Sequence, residues 1–376
     1  MRFLRTLVAG AAVAATAVAL TAGPALGDPI NSKGKAVTPA SFDIVGVGAD
    51  TSQSLFDQLS VDYNAAHKKH NKSHPRIYSW DATNPKTQAV GDLIRTKSGC
   101  AKIARPNGSS AGIATLISNI KDPKGGFCQD FARSSSGRKP TDPPEGKGGI
   151  LFVALDKDAV TYTTQRTSNA PTNLTTADLT AIYSCTDTTW NEVGGTSHAT
   201  IKAFLPPSTS GIRTFFLTAI GVTTPGACVN SNPEQNEGTS KLLHSPNAIF
   251  PYSVADYIAQ RYHSAACHKK PKKGQNEFGC DLHGTLKLNS INGTKPTTGK
   301  GAKQTINSGF SPIFVHTIYD VVRYSTSTKD HIPAYLEPFF ASAHAKVKGW
   351  FCSSKTAKTA IADYGFLPSP LCGLGS

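Results

Sequence analysis

Four short segments place small hydroxyl and glycine residues where a helix is about to begin. They are Gly48-Ala49-Asp50-Thr51-Ser52, Arg105-Pro106-Asn107-Gly108-Ser109-Ser110-Ala111-Gly112, Arg133-Ser134-Ser135-Ser136-Gly137-Arg138 and Ser208-Thr209-Ser210-Gly211-Ile212-Arg213-Thr214. A helix N-terminus presents unpaired backbone N–H groups and a partial positive charge, which together suit an anion. Glycine lets the backbone approach closely, hydroxyls add donors, and arginine adds a forked cation. Ordinary N-capping accounts for any one such segment. Four in one chain, three of them with arginine, point to a small oxyanion held by several loops. Hydrogen bonds to a charged group contribute about 1.5–3 kcal/mol each, and a micromolar ligand requires about 8 kcal/mol net. Roughly five to eight converging donors reach that figure after the cost of association.

Two other chemistries compete for the same residues. Gly108-Ser109-Ser110-Ala111-Gly112 matches G-x-S-x-G, the nucleophile elbow of serine hydrolases, with Ser110 as nucleophile. Asp320 or Asp330, then His331 or His344, follow in the required order, but no HGGG-type oxyanion loop accompanies them. Cys267-His268, Cys280 and His283 have loosely zinc-like spacing. In an oxidising compartment the disulfide reading takes precedence over metal, so neither a metal nor a cofactor is expected.

The compartment follows from the leader. Residues 1–27 combine Arg2 and Arg5, an apolar run over 7–20, and Ala25-Leu26-Gly27 as a cleavage site, so they read as a secretory signal with Asp28 as the mature start. No cysteine precedes Cys100, which excludes a lipid anchor at that site, and no other stretch approaches the length of a membrane span. Eight cysteines in an exported chain form a disulfide framework, most simply between neighbours: Cys100 with Cys128, Cys185 with Cys228, Cys267 with Cys280 and Cys352 with Cys372. The formal charge is +14, much of it in clusters such as Lys68-Lys69-His70 and the run from His268 through Lys273. These read as solvated loops, or as a surface that adheres to anionic wall polymers. No basic helix or strand is interleaved with aromatics, so nucleic acid is not an expected partner.

The elements that must carry these loops alternate between strand and helix. Residues 42–47 read as a strand, followed by a helix from Thr51 with Leu55, Leu59 and Tyr63 on one face. A buried strand is expected over 149–155, a capping box at Thr175 and Asp178, a helix over 211–220, and a cap at Ser253. Residues 313–322 read as extended, Pro333 opens a helix through Phe340, and a last helix ends near Tyr364. The fold class is α/β. Some 350 residues after the leader exceed one ordinary core, so two lobes are expected.

The order of the loops carries a resemblance. GADTSQ at 48–53, NGSSAGI at 107–113, DFARSSSGR at 130–138, residues 173–182 with Trp190 through Gly195, and STSGIRTFF at 208–216 resemble the phosphate-binding proteins of bacterial ABC importers, and more closely their secreted actinobacterial relatives. The resemblance implies the type II periplasmic-binding-protein fold, two α/β lobes with a ligand cleft between them. It implies anion contacts at Thr51, Ser52, Ser109, Ser135, Ser210, Gly211 and Ile212. Asp50, Arg105, Ser110, Arg133 and Arg213 complete the candidate set. Three departures stand out. Against the resembled family, Ser135 replaces an aspartate, Ile212 a threonine, and Pro206 an arginine, which leaves Arg213, Arg105 or Arg133 as candidates for the lost cation. The expected organisation is a leader over 28–41, one lobe from 42–152 with 313–376, and a second from 153–312. A monomer holding phosphate or a similar anion, with an ABC permease as partner, completes the expectation.

Overall fold

A computed structural model describes residues 28–31, 35–85, 87, 89–263 and 282–376. The expected secretory leader at 1–27, Cys267, Cys280 and the basic run at 268–273 lie outside the described residues. The chain enters through strand β1 (Ile44–Gly48), wholly buried, and turns into helix α1 (Gln53–Ala66), whose Leu55, Phe56, Leu59 and Tyr63 pack inward. Strand β2 (Ile77–Ser79), helix α2 (Ser109–Ile117) and strand β3 (Phe131–Ser134) follow. Then comes β4 (Ile150–Gln165), the longest strand at 16 residues. Helix α3 (Thr176–Ser184), strand β5 (Lys202–Ala203), helix α4 (Gly211–Ala219), strand β6 (Ala248–Ser253) and helix α5 (Val254–Ile258) come next. The chain closes with β7 (Leu286–Leu288), β8 (Val315–Arg323), helix α6 (Lys355–Asp363) and β9 (Leu367–Pro368).

The nine strands form one mixed sheet in the order β2-β1-β3-β8-β4-β6-β5, with β7 and β9 also paired to β4. β1 runs parallel to both β2 and β3, and β5 runs parallel to β6. β4 and β8 are antiparallel along the whole of β8, from Val315 opposite Ala159 to Arg323 opposite Ile150. The first half of β4 therefore belongs to the β1–β3 side, while its second half pairs with β6 and β7. The register of the pair slips between Ile318 and Tyr319, where one half of the sheet gives way to the other. A β-bulge of this kind adds local twist and bend.

β4 runs well past the expected 149–155. Asp156, Lys157 and Asp158 interrupt the apolar run in the sequence, yet Asp156 and Asp158 are fully buried within the strand. The helix expected from Pro333 is confined to Glu337–Phe340. The capping box at Thr175 and Asp178 and the cap at Ser253 form as read. The C-terminal segment returns to the β1–β3 side. Phe339, Phe340 and Phe351 join Phe56 and Phe131 in one aromatic cluster, with Phe56–Phe131 and Phe340–Phe351 centroids 5.4 and 5.3 Å apart. Three disulfides form as paired from the sequence: Cys100–Cys128, Cys185–Cys228 and Cys352–Cys372. The Lys68-Lys69-His70 cluster is an exposed loop.

Candidate anion-binding site

The carboxyl ends of the parallel strands β1 and β3 open onto the starts of α1 and α2, and α4 arrives from the other half of the sheet. Gly48 closes β1 with φ +124°, and a Cβ there would lie 2.5 Å from Arg133 O. Gly112 presses α2 so close that its Cβ would lie 2.6 Å from Gly48 Cα. These two glycines bring the first three loops together. Ser135 N donates to Ser109 Oγ at 3.0 Å, and the two hydroxyl oxygens are 3.3 Å apart. A side chain on Gly211 would overlap both of these hydroxyls, so the first turn of α4 sits directly on them. Ser110 N reaches Thr209 O at 3.4 Å across the same seam. Ser210 caps α4 by accepting from Arg213 N at 3.0 Å.

A segment that sequence reasoning passed over completes the cluster. Gln235 Oε1 accepts from Ser210 Oγ and from Ile212 N (3.4 Å), while its Nε2 donates to Asp50 Oδ1 and to Thr51 Oγ1 (2.8 Å). Asn236 Nδ2 also reaches Thr51 Oγ1 at 3.5 Å, and Glu234 Oε2 accepts from Asn107 Nδ2 at 2.8 Å. A small pocket beside them is lined by Asp50, Asn107, Glu234, Gln235, Glu237 and Gln260, among others. Ser52 Oγ, at the start of α1, is buried with no hydrogen-bond partner among the described residues. Thus Asp50, Thr51, Ser109, Ser135, Ser210, Gly211 and Ile212 come together, with Ser52 beside them.

The arginines behave differently from the expectation. Arg105 Nε donates to Asp92 and Nη1 to Asp28, both at 2.5 Å, and Nη1 also reaches Asp81 O at 3.1 Å. Arg133 is wholly buried, with Nε on Ala49 O (2.9 Å), Nη1 on Ser79 Oγ and Nη2 on Trp80 O (2.9 Å). Both guanidinium groups are consumed inside the fold, so neither replaces the arginine missing at Pro206. Arg213 reaches back to that position, donating from Nη1 to Pro206 O at 3.0 Å and Ser231 Oγ at 2.7 Å. It lines an outer groove with Ser208, Thr214 and Leu217 rather than joining the Gln235 network. A cation not anticipated from the sequence is Lys139, whose Nζ donates to Ser110 Oγ at 2.8 Å. Burial, followed by the charge of Glu234, pushes the Asp50 carboxyl well above the ordinary carboxylate range.

Among family models, the PBP superfamily domain matches residues 33–319, more than half of the chain. The chain belongs to the PBP superfamily. Solved structures similar to this PBP-superfamily chain include an ABC-type phosphate transport receptor from Vibrio cholerae, 17% identical, covering 87% of this chain and 100% of that one with a TM-score of 0.50. A second, from Clostridium perfringens, is described as a phosphate ABC transporter substrate-binding protein with bound phosphate. It is 13% identical and covers 87% of this chain and 99% of its own at a TM-score of 0.53. No curated protein sequence matches. The architecture is that of the type II periplasmic-binding fold, whose clefts lie where open α/β sheets bind ligands, beyond the carboxyl ends of strands.

Within this PBP-superfamily frame the hydrolase reading loses its geometry. The partner of Ser110 is Lys139, and His331 is engaged elsewhere, with Nδ1 3.0 Å from Ser325 O and its ring stacked on Tyr324. Asp320 lies on β8 opposite Arg133. His283, the described member of the zinc-like set, stacks on Tyr257 at 4.5 Å. No group of three or more possible metal ligands occurs among the described residues.

Proposed function

We propose that the chain is a secreted solute-binding protein that holds phosphate between two lobes, residues 42–152 with 313–376 and residues 153–312, and hands it to an ABC permease. The observation that carries this reading is the convergence of three helix N-termini from both halves of the sheet on one cluster of hydroxyls: Thr51 and Ser52 before α1, Ser109 at α2, Ser210 before α4, with Ser135 between them. Ser52 Oγ, buried and unpartnered among the described residues, is a donor already positioned for an anion. The backbone N–H groups of Gly211 and Ile212 add the positive end of α4. The two similar solved structures, a phosphate transport receptor and a protein with bound phosphate, favour phosphate among oxyanions. Three disulfides favour an oxidising, extracytoplasmic location. No helix among the described residues is long and apolar enough to cross a membrane.

Calorimetric titration with phosphate tests the reading. Ser109→Ala and Ser210→Ala each remove a hydroxyl from the cluster, and losing one hydrogen bond to a charged ligand costs about 1.5–3 kcal/mol. Each variant should therefore bind phosphate about tenfold or more weakly, while exposed Lys300→Ala leaves affinity unchanged. Equal losses in all three variants would show diffuse charge attraction in place of a pocket.

A further inference from the structure

Gln235 stands where an anion oxygen would meet the first turn of α4, and we propose that its side chain is a built-in competitor, a latch that the incoming oxyanion must displace. This inference rests on the binding role proposed above. The amide carbonyl oxygen accepts from Ser210 Oγ and Ile212 N, the donors that a bound anion would use at that helix end. The other end of the same amide donates to Asp50 Oδ1 and Thr51 Oγ1 on the opposite lobe. One neutral side chain therefore occupies the anion position and ties the two lobes together.

The backbone of the latch segment is anchored to the β6–α5 side, and Glu234 and Asn236 add side-chain contacts to Asn107 and Thr51 across the cleft. Asn236 accepts from Ser253 N at 2.9 Å through Oδ1, and its carbonyl oxygen accepts from Tyr252 Oη and from Gln260 Nε2 (2.9 Å). Asn236 adopts φ +52°, a left-handed conformation that asparagine tolerates better than most residues. The backbone of the segment is thus fixed to β6 and α5, while the side chain of Gln235 projects across the cleft. Gln235 and Asn236 are 6% and 1% exposed, so the engaged amide is buried between the two sides.

An amide oxygen carries only a partial charge, so it gains less from the helix dipole and from charge-assisted hydrogen bonding than an oxyanion does. Anion and latch cannot occupy the site together, and the observed affinity is reduced by the fraction of molecules in which the latch is engaged. A latch engaged in about nine molecules of ten weakens binding about tenfold.

Two measurements on the mature protein decide it, with Gln235→Ala and Gln235→Asn as variants. Asparagine keeps the amide but is one methylene too short to span from Ser210 to Asp50. Small-angle scattering in phosphate-free buffer should give both variants a larger radius of gyration than the wild type. Titration with inorganic phosphate should give both about tenfold tighter binding. An unchanged radius in both variants overturns the latch. Weakened phosphate binding overturns it too, by making Gln235 a ligand contact, and unchanged binding does the same. Failure of wild type and variants alike to bind phosphate would instead remove the phosphate reading, and the scattering result would then judge the lobe contact on its own.

Discussion

Ser135 directly follows β3 with its hydroxyl against Ser109, at the position where the phosphate binders that this chain resembles carry an aspartate. A fixed carboxylate discriminates because it accepts the proton that phosphate retains and repels fully ionised sulfate. A serine hydroxyl donates as readily as it accepts. The nearest acid, Asp50, accepts from Gln235 Nε2, and burial first and Glu234 second disfavour its ionised form. Sulfate should therefore compete with phosphate within a factor of about a hundred, a gap of roughly 3 kcal/mol or less. Competition calorimetry at fixed ionic strength checks this, and undetectable sulfate binding beside strong phosphate binding would mean that an ionised acid does the excluding. The hydroxyls of this site were legible in the sequence because N-capping chemistry is local. The fates of Arg105 and Arg133 were not, because Asp28, Asp92, Ala49 and Trp80 reach them only through the fold. Gln235 was invisible for a related reason: in a polar loop, nothing marks one glutamine as the residue that turns inward.

At the scale of elements, β4 and β8 decide how the halves are joined. Asp158, deep in β4, accepts from Ala255 N at 2.9 Å and from Ala159 N at 2.7 Å, and so ties the crossing strand to the first turn of α5. Leaving such buried amides without an acceptor costs about 1–3 kcal/mol. Asp158→Ala should lower stability by that amount in urea unfolding, and Asp158→Asn, which keeps one oxygen, should recover part of it. Full stability in Asp158→Ala would mean that water replaces the carboxylate. The α1, α3 and α4 segments were readable from apolar spacing and caps. The second half of β4 was not, because an Asp-Lys-Asp interruption normally signals the end of a strand. Here the carboxylates of Asp156 and Asp320 are buried with no hydrogen-bond partner among the described residues; burial disfavours the charge of both, repulsion from Asp320 and Asp158 adds to this at Asp156, and Arg133 partly offsets it at Asp320.

For the molecule as a whole, the described cystines are distributed unevenly with respect to the seam. Cys100–Cys128 staples the β1–β3 side, Cys185–Cys228 fastens the end of α3 to the loop after α4, and Cys352–Cys372 closes the returning tail. Removing a disulfide that closes a loop of this size typically costs about 2–4 kcal/mol. Cys185→Ser with Cys228→Ser should accordingly lower the unfolding midpoint by several degrees, yet leave phosphate affinity within about twofold, a change of no more than roughly 0.5 kcal/mol. An affinity that fell in step with stability would show that the bond also shapes the site. None of the three described cystines runs from one side of the cleft to the other. These three cystines therefore constrain segments within each proposed lobe, and the proposed lobes are joined by the β4–β8 pairing and by hydrogen bonds. On the two-lobe reading proposed above, reducing these three cystines should shorten the life of each half while leaving the contact between the halves to the Gln235 hydrogen bonds and the β4–β8 pairing.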